Sequence, residues 1–193
     1  MSDFWLFFGL GKDHIADLNG YDHILFIIAL CIRYTYADWK KVLLLVTAFT
    51  IGHSITLALS VISQLHYSVK WIEFLIPVSI LITGLANTFE RNFRFNTRFP
   101  LIYFLAMFFG LIHGLGFSSY LKSLLGKDAN VVSQLLAFNL GLEAGQLMIV
   151  TAVLIVSLIC IRYLKFQRRE YVLFISGAVS GIALTMAIQR FPL

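Results

Sequence analysis

The stretch KKVLLLVTAFTIGHSITLALSVI, residues Lys40–Ile62, decides the fold. After Lys41 its only ionisable side chain is His53, and it is long enough for a helix that crosses a bilayer, which needs about 20 mostly apolar residues. It also lacks the strict alternation of polar and apolar residues that a membrane β-strand shows. The stretch therefore predicts a transmembrane helix with an imidazole inside the membrane.

The rest of the chain continues this pattern. Of the 193 residues, 59% are hydrophobic and only 13% are charged, whereas about a quarter of a soluble domain is charged. We therefore predict a single integral membrane domain over residues 1–193, an all-α polytopic bundle of about six transmembrane helices in contact with lipid. The predicted spans are Gly20–Tyr36, Lys40–Ile62, Trp71–Phe89, Phe99–Lys122, Val131–Ile161 and Tyr171–Ile188. The apolar run Phe4–Leu10 is too short to cross the bilayer, so we predict that it is an interfacial or re-entrant segment.

The net charge of +5 is not evidence for nucleic-acid binding, because the basic residues are distributed among the predicted connections between spans. Their distribution indicates the orientation of the chain in the membrane. The first, third and fifth connections carry most of the Lys and Arg residues, and the positive-inside rule places such connections in the cytoplasm. This predicts a protein of the inner (cytoplasmic) membrane with both termini extracytoplasmic. The cytoplasmic set is Arg33, Lys40, Lys41, Arg91, Arg94, Arg98, Arg162, Lys165, Arg168 and Arg169, against Lys12, Lys70, Lys122, Lys127 and Arg190 on the other side.

Ionisable side chains inside the predicted spans fall in the outer half of the bilayer. With a rise of about 1.5 Å per residue, His53 and His113 each lie about 20 Å from the inner face. Glu143 lies about 18 Å from the outer face. Asp22 and His23 lie at the outer end of the first span, with His14 just before it. Such groups cost at least about 2.5 kcal/mol in hydrocarbon, so they usually face the bundle interior and mark a functional pathway.

Imidazole and carboxylate together are a ligand set for Zn, Ni, Co or Fe. Asn139, Gln146, Ser54 and Thr50 are the polar neighbours that we expect to orient the imidazole rings, and Asn139, Glu143 and Gln146 share one helix face. A proton-linked His/Glu network and a purely structural role in helix packing remain alternatives. Cys31 and Cys160 have no metal-binding spacing and are predicted to be free thiols, and His66 is predicted to lie on the surface.

Four ordered motifs resemble the HupE/UreJ family of membrane proteins. They are HIADLNGYDHILF from His14, FTIGHSITL from Phe49, GLIHGLGF from Gly110 and FNLGLEAGQL from Phe138, and they extend over roughly Leu10–Val150. The resemblance implies a nickel or cobalt permease of the inner membrane. It also implies a set of ligands made up of His14, Asp22, His23, His53, His113 and Glu143. One departure concerns His14, because seven residues separate it from Asp22 where the family pattern commonly has five.

Three functions follow from these observations. A permease for a divalent transition metal agrees with the family resemblance. An intramembrane metal-dependent enzyme of hydrolase type, with Glu143 as the candidate general base, agrees with the one-sided placement of the ligands. A structural or assembly subunit is the third. The sequence shows no clear inverted repeat of the kind found in many transporters, and it leaves the metal and a homo-oligomeric state open.

Overall fold

Seven α-helices form the part of the chain that a computed structural model describes, residues 3–63, 66–89, 101–125 and 131–193. The helices are α1 (Asp3–Ile15), α2 (Asp22–Cys31), α3 (Trp39–Ile62), α4 (Val69–Phe89), α5 (Leu101–Leu125), α6 (Val131–Leu158) and α7 (Arg168–Gln189). A 3₁₀ turn (Tyr36–Asp38) precedes α3, and a π-helical turn (Ile159–Tyr163) follows α6. The predicted start of the fourth span at Phe99, and the charges of Arg91, Arg94, Arg98 and Lys127, lie outside the described residues.

Five helices, α3 to α7, are long and apolar enough to cross a membrane, which confirms the predicted all-α polytopic bundle. Their bounds agree with the predicted spans to within a few residues at the ends that are described. Long apolar runs determine these helices, because in hydrocarbon each backbone amide must find its hydrogen bond within the segment itself.

The predicted first span, Gly20–Tyr36, is wrong in its length. Only Asp22–Cys31 is α-helical, and ten residues extend about 15 Å. The chain turns at Thr35, which has an extended backbone and donates from both its amide and its hydroxyl to the Asp38 carboxylate, at 3.3 and 3.0 Å. This capping box starts the next helix before the first one has crossed a full bilayer. The helix that remains is almost wholly buried inside the bundle.

The N-terminal segment is a helix that continues to Ile15 and packs along α6. Phe7, Gly11 and Ile15 form its buried face. Gly11 faces the backbone carbonyl of Phe138, and Gly141 faces that of Phe8. Because its glycine-containing face packs directly against the backbone of α6, this segment is part of the bundle, as a re-entrant helix would be.

The helices α3 and α5 form a second closely packed pair. Gly52 faces the carbonyl of Met107, Gly110 faces that of Phe49, and a Cβ atom at either glycine would collide with the facing backbone. In both pairs, residues farther along one helix meet residues farther along the other, so α3 runs parallel to α5 and α1 runs parallel to α6. Small residues at such positions allow two helix backbones to approach closely.

The other contacts determine the direction of each helix. Helix α4 runs antiparallel to α7, since Gly84 meets Ser180 while Phe74 meets Phe191 near the other end. It also runs antiparallel to α5, because Ile76 lies beside Gly116 and Asn87 lies with Ile102 at the wall of one cavity. Since α5 ends at Leu125 and α6 begins at Val131, α6 starts on the side where α5 ends. Because α1 runs parallel to α6, and α7 runs parallel to α5, the beginning of α1 and the end of α7 both lie on that side, which we call the outer side. The 3₁₀ turn before α3 lies on the opposite, inner side.

Candidate metal centre

Three histidines from three different helices converge inside the bundle, and we call them the histidine group. They are His14 of α1, His23 of α2 and His53 of α3, and one ring nitrogen of each lies within 4.8 Å of those of the other two. The rings of His14 and His23 are 4.7 Å apart between centroids, and that of His53 is 5.9 Å from His14 and 6.1 Å from His23. Ligand nitrogens on a tetrahedral ion lie about 3.4 Å apart, so small side-chain shifts would close the group on an ion.

The packing of α3 against α5 explains why two predicted histidines lie at the same level. His53 follows Gly52, and His113 precedes Gly114, which meets the backbone of His53. Both side chains are almost completely buried, at 0% and 1% exposure. The His113 ring lies 5.2 Å from that of His23, at the edge of the histidine group.

The nitrogens of these rings are left open for a ligand. Neither nitrogen of His53, nor the Nε2 atom of His14, His23 or His113, has a hydrogen-bond partner among the described residues. The Nδ1 atom of His113 lies 2.8 Å from the carbonyl oxygen of Phe109, an acceptor that requires the proton on Nδ1 and leaves the lone pair on Nε2. Leaving a buried polar group unpaired costs about 1–3 kcal/mol, and a bound metal ion would remove that cost.

Asp22 lies beside this group but is held by other partners. One carboxylate oxygen lies 3.4 Å from Nδ1 of His23, an arrangement that directs Nε2 of His23 toward a metal. The other oxygen accepts a hydrogen bond of 3.2 Å from the guanidinium of Arg190 at the end of α7. Asp22 thus orients His23, and it can itself bind an ion only if it leaves Arg190.

A cavity of about 320 Å³ connects the group to the outer side of the bundle. His14, His23 and His113 form part of its wall, and Asp17, Asp22, Glu73 and Arg190 supply its charges. Three carboxylates against one guanidinium give the cavity a negative potential, which concentrates cations at its mouth. Phe117, whose ring lies 3.7 Å from that of His14 between centroids, closes part of the wall with an apolar surface.

Glu143 does not join the histidine group. Its carboxylate accepts a hydrogen bond of 3.0 Å from the hydroxyl of Thr47 on α3. The carboxylate is absent from the set of mutually close metal-binding atoms that His14, His23 and His53 form among the described residues. The prediction that Glu143 shares one site with the histidines is thus not supported by the positions of the side chains, because its helix face is turned toward Thr47.

The described hydrogen bonds connect none of the predicted polar neighbours to an imidazole. The Thr50 hydroxyl is hydrogen-bonded to the side chain of Gln146, and the Ser54 hydroxyl donates to the carbonyl of Thr50 at 2.7 Å. The Oδ1 atom of Asn139 is buried without a partner among the described residues. Orientation comes instead from Asp22 for His23 and from the carbonyl of Phe109 for His113.

Sequence reasoning missed Thr47, the carbonyl of Phe109 and the role of Arg190. Thr47 lies one helical turn before Thr50 on the same face of α3, which is a signal that the sequence does contain. The charge distribution identifies Arg190 only as a charge outside the membrane, whereas in the structure its guanidinium lies 3.2 Å from the Asp22 carboxylate. His66 is exposed, and both Cys31 and Cys160 are free, as predicted.

Together these features define a polytopic helical membrane protein with a buried imidazole group that opens to one side. The sequence profile described as HupE / UreJ protein matches residues 1–190, so the chain belongs to the HupE/UreJ family. The match extends the four motifs over nearly the whole chain and confirms the resemblance noted from them. No curated protein and no solved structure gives a significant match to the chain.

Proposed function

We propose that this protein is a permease of the inner membrane for a divalent transition-metal ion of the nickel or cobalt type. The observation that supports this most directly is the histidine group, three imidazoles from separate helices with nitrogens that lack partners inside an apolar bundle. Imidazole nitrogen is a good ligand for Ni, Co, Zn and Fe, and a poor one for Mg or Ca. Family membership agrees with this role.

The route of the ion is proposed to begin at the outer cavity. Asp17, Asp22 and Glu73 attract a hydrated cation, and the histidines replace its water molecules with nitrogen ligands. Neutral imidazoles leave the charge of the ion uncompensated, so a nearby carboxylate lowers the cost of bringing it into a low-dielectric interior. Asp22 is the nearest candidate once it separates from Arg190.

The alternative of an intramembrane metal-dependent hydrolase has less support. A hydrolase requires a general base next to the metal-bound water, and Glu143 was the predicted base. Its carboxylate is bonded to Thr47 and lies outside the histidine group. Transport requires only that the ion bind and leave again, and the open cavity beside the histidines is suited to that.

The proposal is tested with purified protein in liposomes that contain a metal-sensitive dye. We expect Ni²⁺ or Co²⁺ added outside to enter faster than in liposomes without protein. His53→Ala should reduce the initial rate at low ion concentration by at least about tenfold, because it removes the most deeply buried ligand.

His66→Ala is the matched control, because that imidazole is exposed and lies outside the histidine group. It should transport like the wild type. Equal uptake by wild-type and protein-free liposomes would refute the permease, and normal uptake by His53→Ala would remove the histidine group from the pathway. Melting temperatures of both variants in detergent show whether they remain folded.

The orientation proposed from the charges is tested with reporter fusions. The helix directions place the start of α1 and the end of α7 on the same side, and the positive-inside rule makes that side extracytoplasmic. A reporter that is active only in the periplasm should be active when fused after Leu193. Activity from a cytoplasm-specific reporter alone would reverse the orientation.

A further inference from the structure

A second polar cluster connects α3 to α6, and we call it the oxygen cluster. It consists of Thr47 and Thr50 on α3 and of Glu143 and Gln146 on α6, each pair three residues apart and therefore on one helix face. The hydroxyl of Thr47 donates to Glu143 at 3.0 Å, and Thr50 lies 2.5 Å from the side-chain oxygen of Gln146. These two contacts pair only some of the donor and acceptor atoms in the oxygen cluster.

The unpaired hydrogen-bonding atom belongs to Gln146, which is fully buried. Its Nε2 atom has no partner among the described residues. The single hydroxyl proton of Thr50 has two acceptors in reach, Gln146 at 2.5 Å and the carbonyl oxygen of Val46 at 3.1 Å. If the amide is turned over, Nε2 donates to Thr50, Thr50 donates to Val46, and the amide oxygen of Gln146 becomes the unpaired atom.

In this turned-over orientation the unpaired atom is a buried carbonyl oxygen, in a cluster that also contains two hydroxyls and a carboxylate. Every remaining group is then an oxygen with a free lone pair, and a cation is the ligand that such a set binds. Glu143 is only half-buried, so the oxygen cluster has an open side. An apolar molecule would leave the amide oxygen unpaired, whereas a cation would pair with its lone pair.

The position of the oxygen cluster relates it to the histidine group. Thr50 and Thr47 precede His53 by three and six residues, which places them about 4.5 and 9 Å from it along α3. The direction is toward the start of α3, away from the outer cavity. An ion that leaves the histidine group in this direction meets the oxygen cluster next.

We propose that Thr47, Thr50, Glu143 and Gln146 form a second cation site, on which the transported ion rests between the histidine group and the inner side of the membrane. This proposal rests on the permease function proposed above. Oxygen ligands bind a borderline metal less tightly than imidazole does, and one carboxylate balances only half of a divalent charge. The site is therefore weak, as a site from which an ion must leave has to be.

Glu143→Gln is the decisive variant, because it removes the charge and keeps the size and the hydrogen bond to Thr47. We expect tight Ni²⁺ binding, measured by isothermal titration calorimetry, to stay within about twofold of the wild type, because the histidine group is intact. Uptake of Ni²⁺ into liposomes should fall at least about tenfold. Glu170→Gln, an exposed glutamate in the first turn of α7, is the matched control and should leave both unchanged.

Thr47→Val is the second variant, since it removes one hydroxyl and keeps the shape of the side chain. It should slow uptake about threefold without a change in tight binding, whereas Thr151→Val, an exposed threonine on α6, should have no effect. Normal uptake by Glu143→Gln would overturn the second site. Loss of tight binding in Glu143→Gln would also overturn it, because Glu143 would then belong to the histidine group. An absence of uptake by the wild type, in contrast, would refute the permease itself.

Discussion

The helix pairs α3/α5 and α1/α6 have the same packing but carry different chemistry. In each pair, a glycine on one helix faces the carbonyl three residues before the glycine of its partner, at Gly52 and Gly110 in one pair and at Gly11 and Gly141 in the other. The first pair carries two imidazoles at one level, whereas the second carries His14 and, turned toward α3, Glu143. The glycines thus determine how close the backbones come, and the neighbouring residues determine which ligands the approach places together.

The largest effect should come from the glycines themselves. Gly52→Ala and Gly141→Ala each add a Cβ atom that collides with a backbone carbonyl, so each should lower the stability of the bundle by about 1–3 kcal/mol or more. Gly9→Ala and Gly177→Ala are the controls, because nothing lies within 4 Å of the added atom. In these helices alanine is favoured over glycine by about 0.5–1 kcal/mol, so the controls should be neutral or slightly stabilising.

Thermal melting in detergent, followed by size-exclusion chromatography, measures the difference. Equal losses in the two glycine variants would support the equivalence of the pairs. If Gly52→Ala melts early while Gly141→Ala melts like the wild type, the packing of α1 against α6 is not as close as that of α3 against α5.

The next largest effect concerns the ligand that each pair contributes. His14→Ala should weaken Ni²⁺ binding about 100-fold, because His14 belongs to the three mutually close nitrogens. His113→Ala should weaken it only about tenfold, because His113 lies at the edge of the group, 5.2 Å from His23 between ring centroids. Calorimetric titration with Ni²⁺ compares the two, with His66→Ala as the control. The opposite order would show that the ion lies closer to α5 than to α1.

Much of the fold could be predicted from the sequence, because long apolar runs are sufficient to define α3 to α7. The length of α2 could not, since Thr35 and Asp38 end the segment through a local hydrogen-bonded turn that hydropathy does not record. The shared packing of the two pairs was also missed. Each pair depends on a few glycines, and these contacts cannot be recognised before the partner helix is known.

The candidate site could be predicted only in part, because depth in the membrane and direction around a helix are different quantities. His53 and His113 have matched predicted depths, and they do lie at one level, since Gly114 meets the backbone of His53. Glu143 lies nearer the inner side, because its carboxylate meets Thr47, six residues before His53 on α3. His14 departs from the family spacing, yet α1, packed against α6, brings its ring within 4.7 Å of that of His23 between centroids.

The smallest predicted effect concerns the ion pair between Arg190 and Asp22, which joins α7 to the mouth of the histidine group. The guanidinium competes with any cation for the Asp22 carboxylate, at a distance of 3.2 Å. Arg190→Ala should therefore free that carboxylate and tighten Ni²⁺ binding, by about three- to tenfold given the partial exposure of the pair. Arg190→Lys keeps the charge and should stay close to the wild type.

The Ni²⁺ dissociation constants of both variants come from calorimetric titration at low salt. Because added salt screens an ion pair that water can reach, the difference between Arg190→Ala and Arg190→Lys should shrink as the salt concentration rises. If Arg190→Ala binds Ni²⁺ more weakly than the wild type, Arg190 serves to hold Asp22 in place for His23, and its competition with the ion is not what limits binding.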